Sequence, residues 1–171
     1  MRALRLGAAL VGAVVLQTTL ARYAPQGAMI VDLVLVVVVY VALTSGPVAG
    51  LAAGTFGGLV QDALTSGILG MGGLTKTVVG FLAGRYGTQL IVTAMLPRFV
   101  AFAAASAAHA GLFMGAYTLL GLRSFPNPLA TVGVQALGNG VLGVVAFELA
   151  DWLPRLMERR RSTRGMRVKR P

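Results

Sequence analysis

The chain has 171 residues, 56% of them hydrophobic, 12% charged and none of them cysteine, with a mean hydropathy of +0.78. Ordinary soluble domains carry roughly 25% charged residues, so this balance excludes a water-soluble globule, and six spans of about 20 residues would leave no room for a separate soluble domain. The net charge of +10 does not describe a nucleic-acid binder, because 8 of the 15 basic residues crowd into the tail from Arg155 onward, where Glu158 is the only acid.

Six apolar stretches follow one another. The first, Leu6 to Leu20, comes after Arg2 and Arg5 and has the charged start and apolar middle of a signal peptide. No small-x-small cleavage site precedes Arg22 and Tyr23, so it reads as a retained span. The second, Ala28 to Leu43, contains LVLVVVVYVAL, which in a soluble protein would read as a buried strand and here reads as a membrane helix. The third runs from Gly46 to Gln61 and the fourth from Gly70 to Gly84. The fifth, Leu96 to Leu122, is long enough to tilt or to begin at the interface, and the sixth runs from Leu129 to Leu153. Pro25, Ser45-Gly46-Pro47, Thr65-Ser66-Gly67, Pro97 and the Ser124 to Pro128 segment punctuate them, each with residues that end a helix at little cost.

The pattern predicts an all-α integral membrane protein, a six-transmembrane-helix bundle with cytoplasmic amino and carboxyl termini. Residues 1–153 form the membrane domain and 154–171 a basic cytoplasmic tail. In that arrangement Arg2, Arg5, Arg85, Arg98 and the eight tail residues lie inside, and only Arg22, Lys76 and Arg123 lie outside, which is the bias that sets orientation. Four spans would keep the same ends but would take two apolar stretches out of the membrane. The tail is expected near anionic lipid, each basic residue contributing about 1 kcal/mol.

Gly46, Gly50, Gly54 and Gly58 recur every four residues, and each step turns about 40° around a helix, so they form one slowly turning smooth stripe. Small-residue faces let helices approach until backbones touch. The stripe predicts a packing surface, within the bundle or against a partner's helix, and Gly80 with Gly84 and Gly111 with Gly115 repeat the device. Asp32, Gln61, Asp62 and Lys76 are placed toward the outer leaflet as a structural polar cluster, with Lys76 paired to Asp62 or Asp32, since a lone charge in hydrocarbon costs several kcal/mol. His109 lies inside the fifth span one turn after Ser106; no serine-presenting turn accompanies them, so His109 is expected to bond to a neighbouring helix. Gln135 and Asn139, four apart on the sixth span, are intramembrane polar candidates for such bonds. Asp151 stands four residues before Arg155, a favourable spacing for an exposed pair, with Glu148 nearby and Trp152 in the interfacial aromatic belt. No catalytic constellation, metal-ligand set or phosphate-binding loop is present in the sequence, and no cofactor is implied.

The runs Asp32-Leu33-Val34-Leu35, Gly46-Pro47-Val48-Ala49-Gly50, Gly57-Gly58-Leu59-Val60-Gln61-Asp62, Lys76-Thr77 and Val79-Gly80-Phe81-Leu82-Ala83-Gly84, with an earlier Leu16-Gln17-Thr18-Thr19-Leu20, resemble the bacterial rod shape-determining protein MreD family. The resemblance is specific over roughly residues 30 to 85. Members often carry proline before the aspartate, where this chain has Val31. The resemblance implies a non-enzymatic scaffold subunit of the cell-elongation complex in the bacterial cytoplasmic membrane. It would bind MreC and act with RodA, a class B penicillin-binding protein and, indirectly, MreB. The family's similarity in fold to S components of energy-coupling-factor transporters implies the alternative, a substrate-binding subunit for a vitamin or other small molecule. Such a carrier needs an outward cavity with convergent polar groups.

Overall fold

The computed structural model describes residues 2–23, 31–65, 68–87, 94–122 and 125–167, with side chains for those between 4 and 152. Pro25, Ala28, Ser66, Gly67, Arg123, Ser124, Lys169 and Arg170 lie outside the described residues, as do the side chains of Arg2, Arg155 and the rest of the tail. The regular elements are all helices: α1 Arg2–Tyr23, α2 Leu33–Ser45, α3 Pro47–Leu64, α4 Met71–Gly87, α5 Met95–Leu119 and α6 Pro128–Arg167. Three stretches, Leu4–Tyr23, Met95–Leu119 and Pro128–Trp152, are long and apolar enough to cross a membrane.

The apolar stretch of α6 ends at Trp152, beside the expected Leu153, and the helix carries its backbone on through the basic tail to Arg167; the Arg, Met, Glu and Leu residues there are strong helix formers. One boundary differs from the sequence reading. Gly46 lies between helices, at φ 90°, and so does not belong to the stripe of α3. Its N–H closes α2 on the Ala42 carbonyl at 2.9 Å and its own carbonyl accepts the Gly50 N–H at 3.0 Å. A side chain at that φ would be strained, and Pro47 follows at the first helical position, where its missing N–H costs nothing. One residue thus reverses the chain.

Helix α2 is the centre, touching each of the other five helices. Its sequence is apolar all round, as a helix buried on every side should be. Valines lower helix propensity by tenths of a kcal/mol. Enclosure outweighs that, because a helix satisfies its own backbone groups where water is absent. One side of α2, Leu35, Val36 and Val39, packs with Val79 of α4, Phe102 and Ala105 of α5 and Phe147 of α6. The other, Val34, Val38 and Val41, packs with Ala13 and Val14 of α1 and Ala53 of α3.

Neighbouring helices run antiparallel: Gly50 of α3 faces Gly80 of α4 while Gly58 faces Gly73, and Arg98 of α5 faces Glu148 of α6 while Ser106 faces Asn139. Outside this core, large apolar side chains such as Val11, Val15, Val100, Leu137 and Val141 are exposed, far more than water-facing surface normally carries.

Candidate functional site

Three joints hold the described helices together. The first is a seam between α3 and α4, the closest helix pair. A Cβ built on Gly50 would overlap the Gly80 carbonyl, one on Gly54 the Lys76 carbonyl, and one on Gly58 the Gly73 Cα. On the facing helix, Gly80 meets the Gly50 carbonyl and Gly84 meets Pro47. Six glycines therefore bring two backbones into contact, where lipid offers no hydrophobic drive and packing alone holds helices together. Beside the seam, the Thr55 and Thr77 hydroxyls share a hydrogen bond of 2.8 Å. Gly111 and Gly115 do not repeat the device: a Cβ at either would meet nothing within 4 Å, so they take no part in packing among the described residues.

The second joint is a polar node at the start of α2. Asp32 caps that helix, accepting the Leu35 N–H on Oδ1 at 2.9 Å, where the helix dipole favours a negative charge. Its Oδ2 lies 2.7 Å from Lys76 Nζ, and both side chains are buried. Lys76 Nζ also reaches His109 Nε2 at 3.3 Å. An ammonium only donates, so Nε2 is the acceptor and the imidazole proton sits on Nδ1. That Nδ1 is buried and has no partner among the described residues.

Asn139, 1% exposed, ties α6 to the same point. Its Oδ1 accepts the Asp32 N–H at 3.0 Å and its Nδ2 donates to Ser106 Oγ at 2.8 Å. Ser106 in turn donates to the Gln135 carbonyl at 3.3 Å. Gln135 thus contributes its backbone, not its amide, and Ser106 and His109 have different partners although they lie one turn apart. Gln17 of α1 completes the node: its Nε2 donates to the Val31 carbonyl at 3.0 Å and its Oε1 accepts the Leu33 N–H at 2.8 Å. Those two backbone groups precede the first internal bonds of α2 and need an outside partner.

Asp62 and Gln61 are not members of this node, which corrects the expected cluster. Asp62 Oδ2 accepts the N–H groups of Gly70 at 2.9 Å and Gly73 at 3.0 Å, closing the α3–α4 turn and capping α4. Lys76 lies beyond it, one turn into α4, where the carboxylate that meets its ammonium is that of Asp32. The Gln61 Oε1 is buried with no partner among the described residues.

The third joint lies at the opposite end. Arg98 of α5, 8% exposed, donates from Nη1 to Glu148 at 2.7 Å and from Nη2 to Asp151 at 3.3 Å. Its guanidinium stands 4.0 Å over the Phe147 ring, which meets Tyr40 edge-on. Asp151 is therefore engaged across helices; the side chain of Arg155, the partner expected from the sequence spacing, lies outside the described residues. A guanidinium presents the fork that two carboxylates require, and spacing within one helix could not reveal it. Nearby, a Cβ at Gly143 would overlap the Phe102 ring, so two aromatic rings of α5 seat against Gly140 and Gly143 of α6.

At the node, the ammonium of Lys76 occupies the place a bound cation would take between Asp32 and His109. Among the described residues no group of three metal-ligating side chains forms. Comparison of the chain with models of known protein families, with curated proteins and with solved structures returns no match.

Proposed function

We propose that this chain is a multi-pass scaffold subunit of the bacterial cytoplasmic membrane. It crosses six times with both ends inside and serves the cell-elongation complex without catalysing a reaction. The observation that carries this reading is how the buried polar side chains are used. Asp32, Lys76, His109, Asn139 and Gln17 bond to one another and to backbone across five helices. A carrier would aim such groups into a cavity; here they fasten helices, and the surface left over is apolar.

The resemblance of residues 30 to 85 to MreD supplies the partner. MreC is bound directly, RodA and a class B penicillin-binding protein are engaged in the same assembly, and MreB acts indirectly. The short helix α2, of 13 residues, is carried in the bilayer inside a shell of the other helices, while α4, of 17, turns Leu74, Val78 and Phe81 outward.

The test is affinity purification of the tagged full chain from its native membrane, with the bound proteins identified. Recovery of MreC, lost in a Gly54→Leu variant that still inserts, supports the scaffold. Absence of MreC together with saturable binding of a vitamin-like molecule overturns it in favour of the carrier.

A further inference from the structure

The carboxyl-terminal part of α6 has no place in the three joints. The helix has 40 residues, about 60 Å at 1.5 Å per residue, and its apolar stretch ends at Trp152. Residues 153–167 carry the same backbone on, about 22 Å further. Head groups add only about 5–8 Å to each side of the hydrocarbon core. The Arg155 position falls within that layer, whereas Arg159, Arg160, Arg161, Arg164 and Arg167 follow Trp152 by about 10–22 Å of helix. Attraction to charged lipid fades over about 8 Å at physiological salt, so an unbroken helix carries most of this charge out of the membrane's reach. Pro154 lies inside it, and a proline bends a helix by tens of degrees, short of the right angle that would lay the arm flat.

The placement of the charges agrees. A helix that lies in the interface needs an apolar face. Steps of about 100° put Arg159, Arg160 and Arg161 at three different positions around the helix, and Met166 is the only large apolar residue from Glu158 to Arg167. Arg155 with Arg159, and Arg160 with Arg164, are like charges four apart, a spacing that opposes the helix. A stable helix that is polar all round is either laced with ion pairs along its length or bridges to another domain. Glu158, the only acid in this stretch, cannot supply the pairs. The complement is a surface dense in carboxylates, the groups that a guanidinium fork matches. Nucleic acid is the poorer complement, because no aromatic residue follows Trp152 to stack on a base.

We propose that residues 155–167 of α6 form a stand-off arm that docks on the acidic face of a cytoplasmic protein and couples it to the membrane bundle. This takes the place of the lipid contact expected of the tail. The proposal rests on the cytoplasmic placement of the carboxyl end and not on MreC. A reporter fusion at Arg164 reads the first and MreC capture the second, so each fails on its own.

The photoreactive residue benzoylphenylalanine replaces Thr163 in the full chain, in its native membrane, and the adducts formed on irradiation are sequenced. One protein adduct is expected, joined through a peptide rich in Asp and Glu. Changing Arg160→Gln, Arg161→Gln and Arg164→Gln together should lower its yield about a hundredfold, each exposed ion pair being worth up to about fivefold. Lysine at the same three positions keeps the charge and should retain the adduct. As a check that needs no further variant to fold, raising the salt over isolated membranes to about 1 M, where charges are screened within about 3 Å, should lower the yield as well. A lipid or RNA adduct as the main product, no adduct, a cross-linked peptide without an excess of acids, or a yield unmoved by the glutamine changes or by salt each overturns the proposal.

Discussion

Replacing Lys76 with methionine keeps the length and most of the volume of the side chain and removes only its ammonium. In the node that ammonium is 2.7 Å from the Asp32 carboxylate and 3.3 Å from His109, with both ionic side chains under a tenth exposed. Breaking a buried pair by removing one partner costs about 3–5 kcal/mol, because the remaining charge is left unpaired. Methionine's extra apolar contact offsets little of this. Changing Asp32 to asparagine as well removes the stranded charge, keeps an oxygen for the Leu35 N–H and leaves the Asn139 bond to the backbone intact. The double variant should therefore recover to within about 2 kcal/mol of wild type, a gain of at least about 1 kcal/mol over Lys76→Met alone. Asp62→Asn, whose bonds go to Gly70 and Gly73, should instead add to Lys76→Met within about 0.5 kcal/mol. The assay is unfolding by sodium dodecyl sulfate in mixed micelles, followed by circular dichroism. A loss below about 1 kcal/mol in Lys76→Met, or a double variant no better than the single one, would falsify the node as a charge-coupled unit.

Gly54→Ala should weaken the bundle by the cost of separating α3 from the Lys76 carbonyl, an overpacking loss of about 1–3 kcal/mol. Gly111→Ala, with open space around its Cβ, should be neutral or stabilising by up to about 1 kcal/mol; equal effects in the same micelle titration would dismiss the seam. Arg98→Lys keeps the charge but cannot span Glu148 and Asp151 together, and since both acids are partly exposed the expected loss is only about 1 kcal/mol. Gln17→Leu leaves the Val31 carbonyl and the Leu33 N–H unpaired at about 1–3 kcal/mol each, and protease access to α1 should rise while α3–α4 stays protected. Reporter fusions should be active in the cytoplasm at Arg164 and outside at Asn127; an external carboxyl end contradicts the six-span orientation.

The positions of the helices could be read from the chain because apolar runs and their Gly and Pro interruptions are local properties. What joins them could not. Lys76 has two candidate acids, Asp62 14 residues away and Asp32 44 residues away, and the choice of the more distant one depends on α2 and α4 meeting at the level of the α2 cap. Gln17 stands beside Thr18 and Thr19 with nothing in the sequence to single it out, yet it binds two backbone groups that exist as a pair only once α2 has started. A glycine pattern marks a smooth face without saying what lies opposite, which is why Gly50 and Gly111 looked alike. Arg98 was read for the side of the membrane it favours, and its two carboxylates lie 50 and 53 residues further along.

The long sequence separations within the node bear on how the protein is made. Asp32 leaves the ribosome 44 residues before Lys76, about 2–9 s at 5–20 residues per second. Asn139, 107 residues after Asp32, follows at about 5–21 s. For that interval α2 has its aspartate and its unbonded first turn without their final partners, and only Gln17, already made, is available to shield it. The nascent chain is then at its most vulnerable to membrane quality control, and substitutions at Gln17 should lower the amount of protein that matures even where the finished bundle tolerates them.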